Sequence, residues 1–357
     1  MNSCGGKGSG GKKFHRAITA FVVPAAASVL ILWLLMRGLS WGQLAGSILS
    51  ASPAGLGLYG AIALGALWLR AIRFRMLLPE PKPSSGPVFL ATVIQNALGD
   101  LVPARLASLG SYVWLMKRRL AVAVDSAAST FIVSFVLDLV TLGPLLLIAV
   151  AVRFGIAAPA GGSQLPMGWA AAFGAIFFAV SAAAAWWLGP LVRVFGRLPR
   201  ALARGREESG WTRIASSLER IASSLEIVRR GGALLRLLAV SLAIRLTKYA
   251  ALFALTESLL AKSGYAGAHP DPWDLIIGVS ATELIASLPI PAIGQFGVWE
   301  GGMVGVLVLM GFSREPATLV AFGLHGITTA YEYLLALLSL GMLLVLSKKR
   351  SGTPESQ

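Results

Sequence analysis

The chain has 357 residues, 56% of them hydrophobic and only 13% charged, with a mean hydropathy of +0.73. Soluble domains run roughly 45–50% apolar and about 25% charged, so a soluble globular enzyme is excluded and an integral membrane protein is indicated. The net charge of +15 would suggest nucleic acid in a soluble chain, but no nucleic-acid motif is present and the cations cluster between apolar runs, as cytoplasmic loops do.

Residues 1–16 (MNSCGGKGSGGKKFHR) are Gly-rich and basic and read as a disordered cytoplasmic tail. Cys4 is the single cysteine, so no intrachain disulfide can form. The apolar run 17–36 is too long for a signal h-region and has no clear cleavage site after it, so it reads as an uncleaved first span. A short amphipathic link at 39–50, carrying Trp41, suits the interface. A second span is expected at about 53–69, with Arg70, Arg73 and Arg75 marking its cytoplasmic edge.

The next region is interrupted. Residues 87–99 and 104–116 are apolar arms around "GDLVPAR", each too short to cross a core of about 30 Å as a helix. Cations flank both ends, from Arg70 to Lys82 and from Lys117 to Arg119. A segment with both ends on one side must enter and return, so a re-entrant hairpin is expected, with Pro103 at its turn and Arg105 at its tip.

Further spans are expected at about 125–152, 169–190, 233–261 and 316–346. Between the second and third of these lies a basic segment, 191–232. Within it "RIASSLERIASSLE" (213–226) duplicates seven residues and sets Ile214, Leu218, Ile221, Leu225 and Val228 on one helical stripe. Two heptads are too few for a coiled coil to be insisted upon, and an interfacial helix fits as well. A second interruption, "LPIPAIGQFG", splits the apolar stretch 273–312, with Pro289, Pro291, Gly294 and Gly297 as turn residues. With 23 of the 31 Lys and Arg in segments assigned to the cytoplasm and four outside, the topology is six full spans, two opposed re-entrant hairpins and both termini cytoplasmic. Opposed interruptions suggest an inverted repeat with a binding site between them.

Ionisable groups in apolar segments are the candidate functional residues, because each costs at least about 2.5–3.5 kcal/mol at a helix centre. They include Asp100, Arg105, Asp138, Arg245, Lys248, Glu257, Glu283, Glu300 and Glu332. Similar numbers of acids and bases allow internal ion pairs as one reading. The other is a polar headgroup cavity, in which Arg105 with Arg245 or Lys248 binds an anion through paired donors. Glu283 and Glu300 would then balance the cations or exchange protons, and Asn96, Gln295 and His325 would add hydrogen bonds. Asp100, Asp138 and Glu332 complete that cavity set, while His325, alone on an apolar helix, reads as a packed histidine. Three histidines and one cysteine lack metal-ligand spacing, so no metal and no cofactor is expected. Ser134, Ser280 and Ser287 have no nucleophile-elbow context.

Three elements carry a family resemblance: "RAIRFRMLL" (Arg70–Leu78); "N…LVPARL…SY" with Asn96, Pro103, Arg105, Leu106, Ser111 and Tyr112, followed by Leu137–Asp138; and "LPIPAIGQFGVWEGG" with Pro289, Pro291, Gly294, Gly297 and Glu300. On these the chain resembles the lysylphosphatidylglycerol synthase transmembrane-region, or flippase-like, family over about residues 15–346. It departs where Ala107 and Ser108 stand in place of Gly-Glu, Ser134 and Phe135 in place of Glu-Arg, and Gly326 in place of an arginine. The resemblance implies translocation or handling of a polar lipid. No aminoacyl-transferase half is present, so lipid lysylation is not expected of this chain.

The expectation is therefore an all-α polytopic protein of the bacterial inner membrane: tail 1–16, one transmembrane domain 17–346, tail 347–357. It would move an anionic or zwitterionic lipid, or a lipid-linked sugar, between leaflets. A membrane-embedded enzyme or accessory subunit of a polyprenyl-glycan, hopanoid or lipid-glycosylation pathway is one rival. A non-catalytic scaffold for a cytoplasmic transferase is another. Membrane lipids, such a transferase and a second copy of the chain are the candidate partners; nucleic acid is not.

Overall fold

The computed structural model describes residues 26, 28–37, 40–101, 106–156, 172, 174–176, 178–179, 183, 233–261, 269–287 and 292–351. Among them every regular element is helical. Helical backbone over 28–35 precedes α1, Trp41–Ser50, which starts on a reciprocal cap: Gln43 N donates to Ser40 Oγ (3.1 Å) and Ser40 N to Gln43 Oε1 (2.8 Å).

Helix α2, Pro53–Leu77, has Pro53 in its first turn, where a missing N–H costs nothing, and the Ser52 hydroxyl accepting from Gly55 N at 3.0 Å. The helix therefore does not stop at residue 69; it carries Arg70, Arg73 and Arg75 onward in regular geometry. Helices α3 (Ser85–Leu101) and α4 (Leu106–Leu120) follow, then α5 (Val124–Ala151), which ends in a wider turn at Val152–Ile156. After them come α6 (Ala233–Leu260), α7 (Pro272–Ser287), a short turn at Ile293–Gln295, α8 (Val298–Leu309) and α9 (Arg314–Ser351).

Four helical stretches are long and apolar enough to cross a membrane: Pro53–Leu77, Val124–Phe154, Ala233–Leu260 and Arg314–Val345. They coincide with four of the six expected spans. Half of the span expected at 17–36 and most of the one expected at 169–190 fall outside the described residues, and the duplication at 213–226 falls wholly outside them.

The interrupted regions are helical hairpins. Helices α3 and α4, of 17 and 15 residues, pack antiparallel, so that Val88 and Ile94 share a buried cluster with Leu115, Met116 and Tyr112. At 1.5 Å per residue they reach about 25 and 22 Å, short of a bilayer core. Helices α7 and α8 pair in the same way: Gly278 sits against Met303 and Leu307, and Gly302 against Thr282 and Ile285.

The hairpins lie toward opposite ends of α2. The first shares its cluster with Phe74 and Leu78 at the C-terminal end of α2. The second buries Leu275, Leu307 and Met310 with Ala51, just before the start of α2. An ion pair at 2.5 Å between Arg153 and Asp274 ties the end of α5 to the start of α7. Between these two ends α2 packs along α6, and α9 packs along α3 and α8. Residues 102–105 and 288–291, with Pro103, Arg105, Pro289 and Pro291, lie outside the described residues. In the second turn Gly294 (φ +59°) and Gly297 (φ +89°) hold left-handed backbone, which glycine adopts without Cβ strain.

Candidate functional site

A cavity of about 240 Å³ opens between α2, α3, α5, α6, α7 and α9. Each wall is a helical stripe at three- and four-residue spacing. Helix α2 presents Tyr59, Ala63, Ala66, Leu67, Arg70, Arg73 and Phe74. Helix α5 gives Phe131, Ser134, Phe135 and Asp138, and α6 gives Ile244, Arg245, Lys248, Ala251 and Leu252. The two hairpins close the space near their turns, with Gln95, Asn96, Gly99 and Ser108 from the first and Glu283, Ala286, Gln295 and Trp299 from the second. Helix α9 supplies His325, Thr328, Thr329, Tyr331 and Glu332.

Apart from Glu332, the charges of the described lining fall into three groups. Arg73, 1% exposed, donates to both carboxylate oxygens of Asp138 at 2.6 and 3.1 Å and to Ser241 Oγ at 3.0 Å. A bidentate pair of this kind offsets the desolvation of both ions. Arg245 donates to Glu283 Oε2 at 2.7 Å and to the Asp138 backbone carbonyl at 3.3 Å, while Lys248 holds Glu283 Oε1. One carboxylate thus serves two cations. Arg70 is different: its amino group donates to the neutral Asn96 Oδ1, and among the described residues it has no carboxylate within ion-pair distance.

Behind the wall lies a second polar cluster. Glu300 is wholly buried and lies outside the cavity lining. As the third residue of α8 it accepts from Gly297 N at 2.6 Å, so it caps its own helix. Its other oxygen is 2.6 Å from His325 Nδ1. The His325 ring packs against Phe296 (4.6 Å between centroids) and Trp299 (5.1 Å). Tyr331 donates to the Gly60 carbonyl at 2.7 Å and meets Tyr59 edge-on at 5.4 Å, fastening α9 to α2.

Of the residues expected at the site from sequence, Asn96, Asp138, Arg245, Lys248, Glu283, Gln295 and Glu332 come together at the cavity. Glu300 lies behind it, and the Asp100 and Arg105 side chains lie outside the described residues. Sequence reasoning did not assign Arg70, Arg73, Tyr59, Gln95, Ser108 or Ser134 to the cavity. The available signal was the stripe itself: Arg70 and Arg73 continue the face marked by Tyr59, Ala63 and Ala66. Among the described residues no cluster of three or more His, Cys, Asp or Glu is placed to hold a metal ion.

No curated protein and no solved structure matches the chain. The sequence pattern described as the lysylphosphatidylglycerol synthase TM region matches residues 21–337, a stretch that contains every residue lining the cavity. The chain is thus a multi-pass membrane protein that belongs to the lysylphosphatidylglycerol synthase TM region family.

Proposed function

We propose that this chain carries a lipid with an anionic or zwitterionic polar headgroup, or a lipid-linked sugar, between the leaflets of the bacterial inner membrane. Both termini are cytoplasmic in this reading, and the two hairpins dip into the bilayer from opposite faces as an inverted repeat. The headgroup enters the cavity between them while the acyl chains stay in lipid.

The observation that carries the reading is Arg70. A guanidinium facing an interior cavity with only an amide for partner among the described residues is costly in hydrocarbon and is suited to an anion supplied from outside the chain. Short hairpin arms and a left-handed glycine turn beside a polar space agree with a site formed where helices stop within the membrane.

The test is translocation of a fluorescent phospholipid in proteoliposomes holding the wild type or Arg70→Gln. Loss of a charge-assisted contact should slow translocation by about tenfold, the equivalent of ~1.4 kcal/mol. Equal rates for the variant and the wild type, or a wild-type rate no faster than protein-free vesicles, would overturn the proposal.

A further inference from the structure

We infer that the buried pair of Glu300 and His325 is a proton site, and that the lipid headgroup crosses the membrane together with a proton held on His325. The inference rests on the lipid-carrier reading above and adds to it a second cargo. It places that cargo in the polar cluster behind the cavity wall, where α8 meets α9.

The first support is the geometry of the pair. Glu300 Oε1 lies 2.6 Å from His325 Nδ1, while Oε2 accepts from Gly297 N. Glu300 has no exposed surface, and among the described residues His325 is the one basic group within ion-pair distance of it. A carboxylate so placed keeps a hydrogen on Nδ1, which leaves Nε2 as the nitrogen that gains or loses a proton. Nε2 has no hydrogen-bond partner among the described residues. The ring lines the cavity, with 7% of its side chain exposed. Uptake forms an N–H bond at Nε2 and breaks an O–H bond of a hydronium ion, which leaves as water. The pair then passes from one negative charge to none. The imidazolium donates at both nitrogens, through Nδ1 to Glu300 and through Nε2 to an acceptor in the cavity. A headgroup oxygen is such an acceptor, so proton and headgroup bind more tightly together than apart, and each favours the other equally.

The second support is what surrounds the ring. Phe296 and Trp299 lie against it at 4.6 and 5.1 Å between centroids, and aromatic faces favour a cationic ring over a neutral one. Other charges are few on the elements nearest to it. Along α9 the next ionisable side chains are Tyr331 and Glu332, six and seven residues away. Helix α8 carries none besides Glu300; α1, residues 28–35 and the turn at Ile293–Gln295 carry none at all. The one such residue of α3, Asp100, has its side chain outside the described set. Across the cavity α6 presents Arg245 and Lys248, both bound to Glu283 of α7, and α2 and α5 present Tyr59, Arg70 and the Arg73–Asp138 pair. Glu300 is thus the charge in direct contact with the ring. It also caps α8 at Gly297, where the left-handed turn of the second hairpin ends. A change of charge on the pair therefore acts on the same turn that closes the cavity, which is how a bound proton would bias the opening of the site.

The experiment takes two readings of the full-length protein in liposomes. The chain has three histidines, so solid-state ¹⁵N NMR of ring-labelled His15→Gln/His269→Gln observes His325 alone. Between about pH 5 and pH 9, Nε2 should gain and lose a proton while Nδ1 keeps its own. A ring held in one protonation state throughout that range would overturn the proton site. The second reading is translocation of a fluorescent phospholipid by uniformly oriented protein under pH gradients of opposite polarity, corrected for protein-free vesicles under the same gradients. Wild-type rates should differ at least about fivefold between the two polarities, the lower end of ordinary coupling between sites. His325→Asn, whose amide can still donate to Glu300 but takes up no proton, should translocate equally under both. A gradient response kept by that variant would overturn the assignment to His325. Equal wild-type rates under both polarities would overturn the coupling and leave lipid carriage standing. If the wild type translocates no faster than protein-free vesicles under any gradient, the carrier reading falls and this inference with it. The wild-type rates and the NMR titration decide the matter even if His325→Asn does not fold.

Discussion

At the scale of single residues, the pairs around the cavity hold one another in place, and removing one partner exposes what the other costs. Arg73 is almost fully enclosed and depends on Asp138. Asp138→Ala should destabilise the fold by about 3–5 kcal/mol, because it strands a buried guanidinium. The double variant Asp138→Leu/Arg73→Met should melt closer to the wild type, and thermal melting of both proteins in one detergent checks the order. Glu300→Ala removes the acceptor for Gly297 N and the partner of His325 together. It should lower the melting temperature more than Glu300→Gln, whose amide oxygen can still accept from the helix start.

These residues also mark the limits of a hydropathy reading. Asp138, Arg245, Lys248, Glu283 and Glu332 were visible in the sequence because a charge inside an apolar run has no ordinary explanation. Arg70 and Arg73 were hidden, because a cation following an apolar run has the same signature at a membrane edge as on a helix face turned inward. Gln95, Ser108 and Ser134 are small or neutral and barely change the local hydropathy. The pairing of Glu300 with His325 spans 25 residues of sequence and follows only from how α8 meets α9.

At the scale of elements, close approach between helices is set by small residues. A Cβ on Gly55 would fall 2.5 Å from Ser258 Cβ, where α2 meets α6. Ser52 and Ser258 add a hydroxyl contact at 3.3 Å beside it. Gly55→Leu should push these helices apart and cost about 1–3 kcal/mol or more; Gly57→Leu, where a Cβ would meet nothing, is the matched control. Comparative melting of the two variants checks it. Four spans and the paired helices of the two interrupted regions were readable as elements because length and interruption are written in the apolar pattern. Their ends were less so: α2 runs to Leu77 rather than 69, and its inner face carries Arg70 against Asn96 and Arg73 against Asp138.

At the scale of the whole molecule, the proposal that the two helix pairs enter the bilayer from opposite faces predicts sidedness. In a Cys4→Ser background, cysteines placed at Ser85 and Lys117, the outer ends of the first hairpin, should react with an impermeant thiol reagent from the same side of intact vesicles. Labelling from opposite sides would mean that the arms cross. The sequence could suggest that two interruptions face each other, but not which side chains meet there. That depends on the rotation of each helix, set by contacts such as Tyr331 against Tyr59 and Gly60.

The double grip on Glu283 has one more consequence. Lys248 is the more accessible of its two holders, 36% exposed against 10% for Arg245. On the carrier reading proposed above, a visiting anion would borrow the lysine while the arginine kept the acid neutralised, and would return it on leaving. Exchange would then be a relay of partners, with no bare ion left in hydrocarbon.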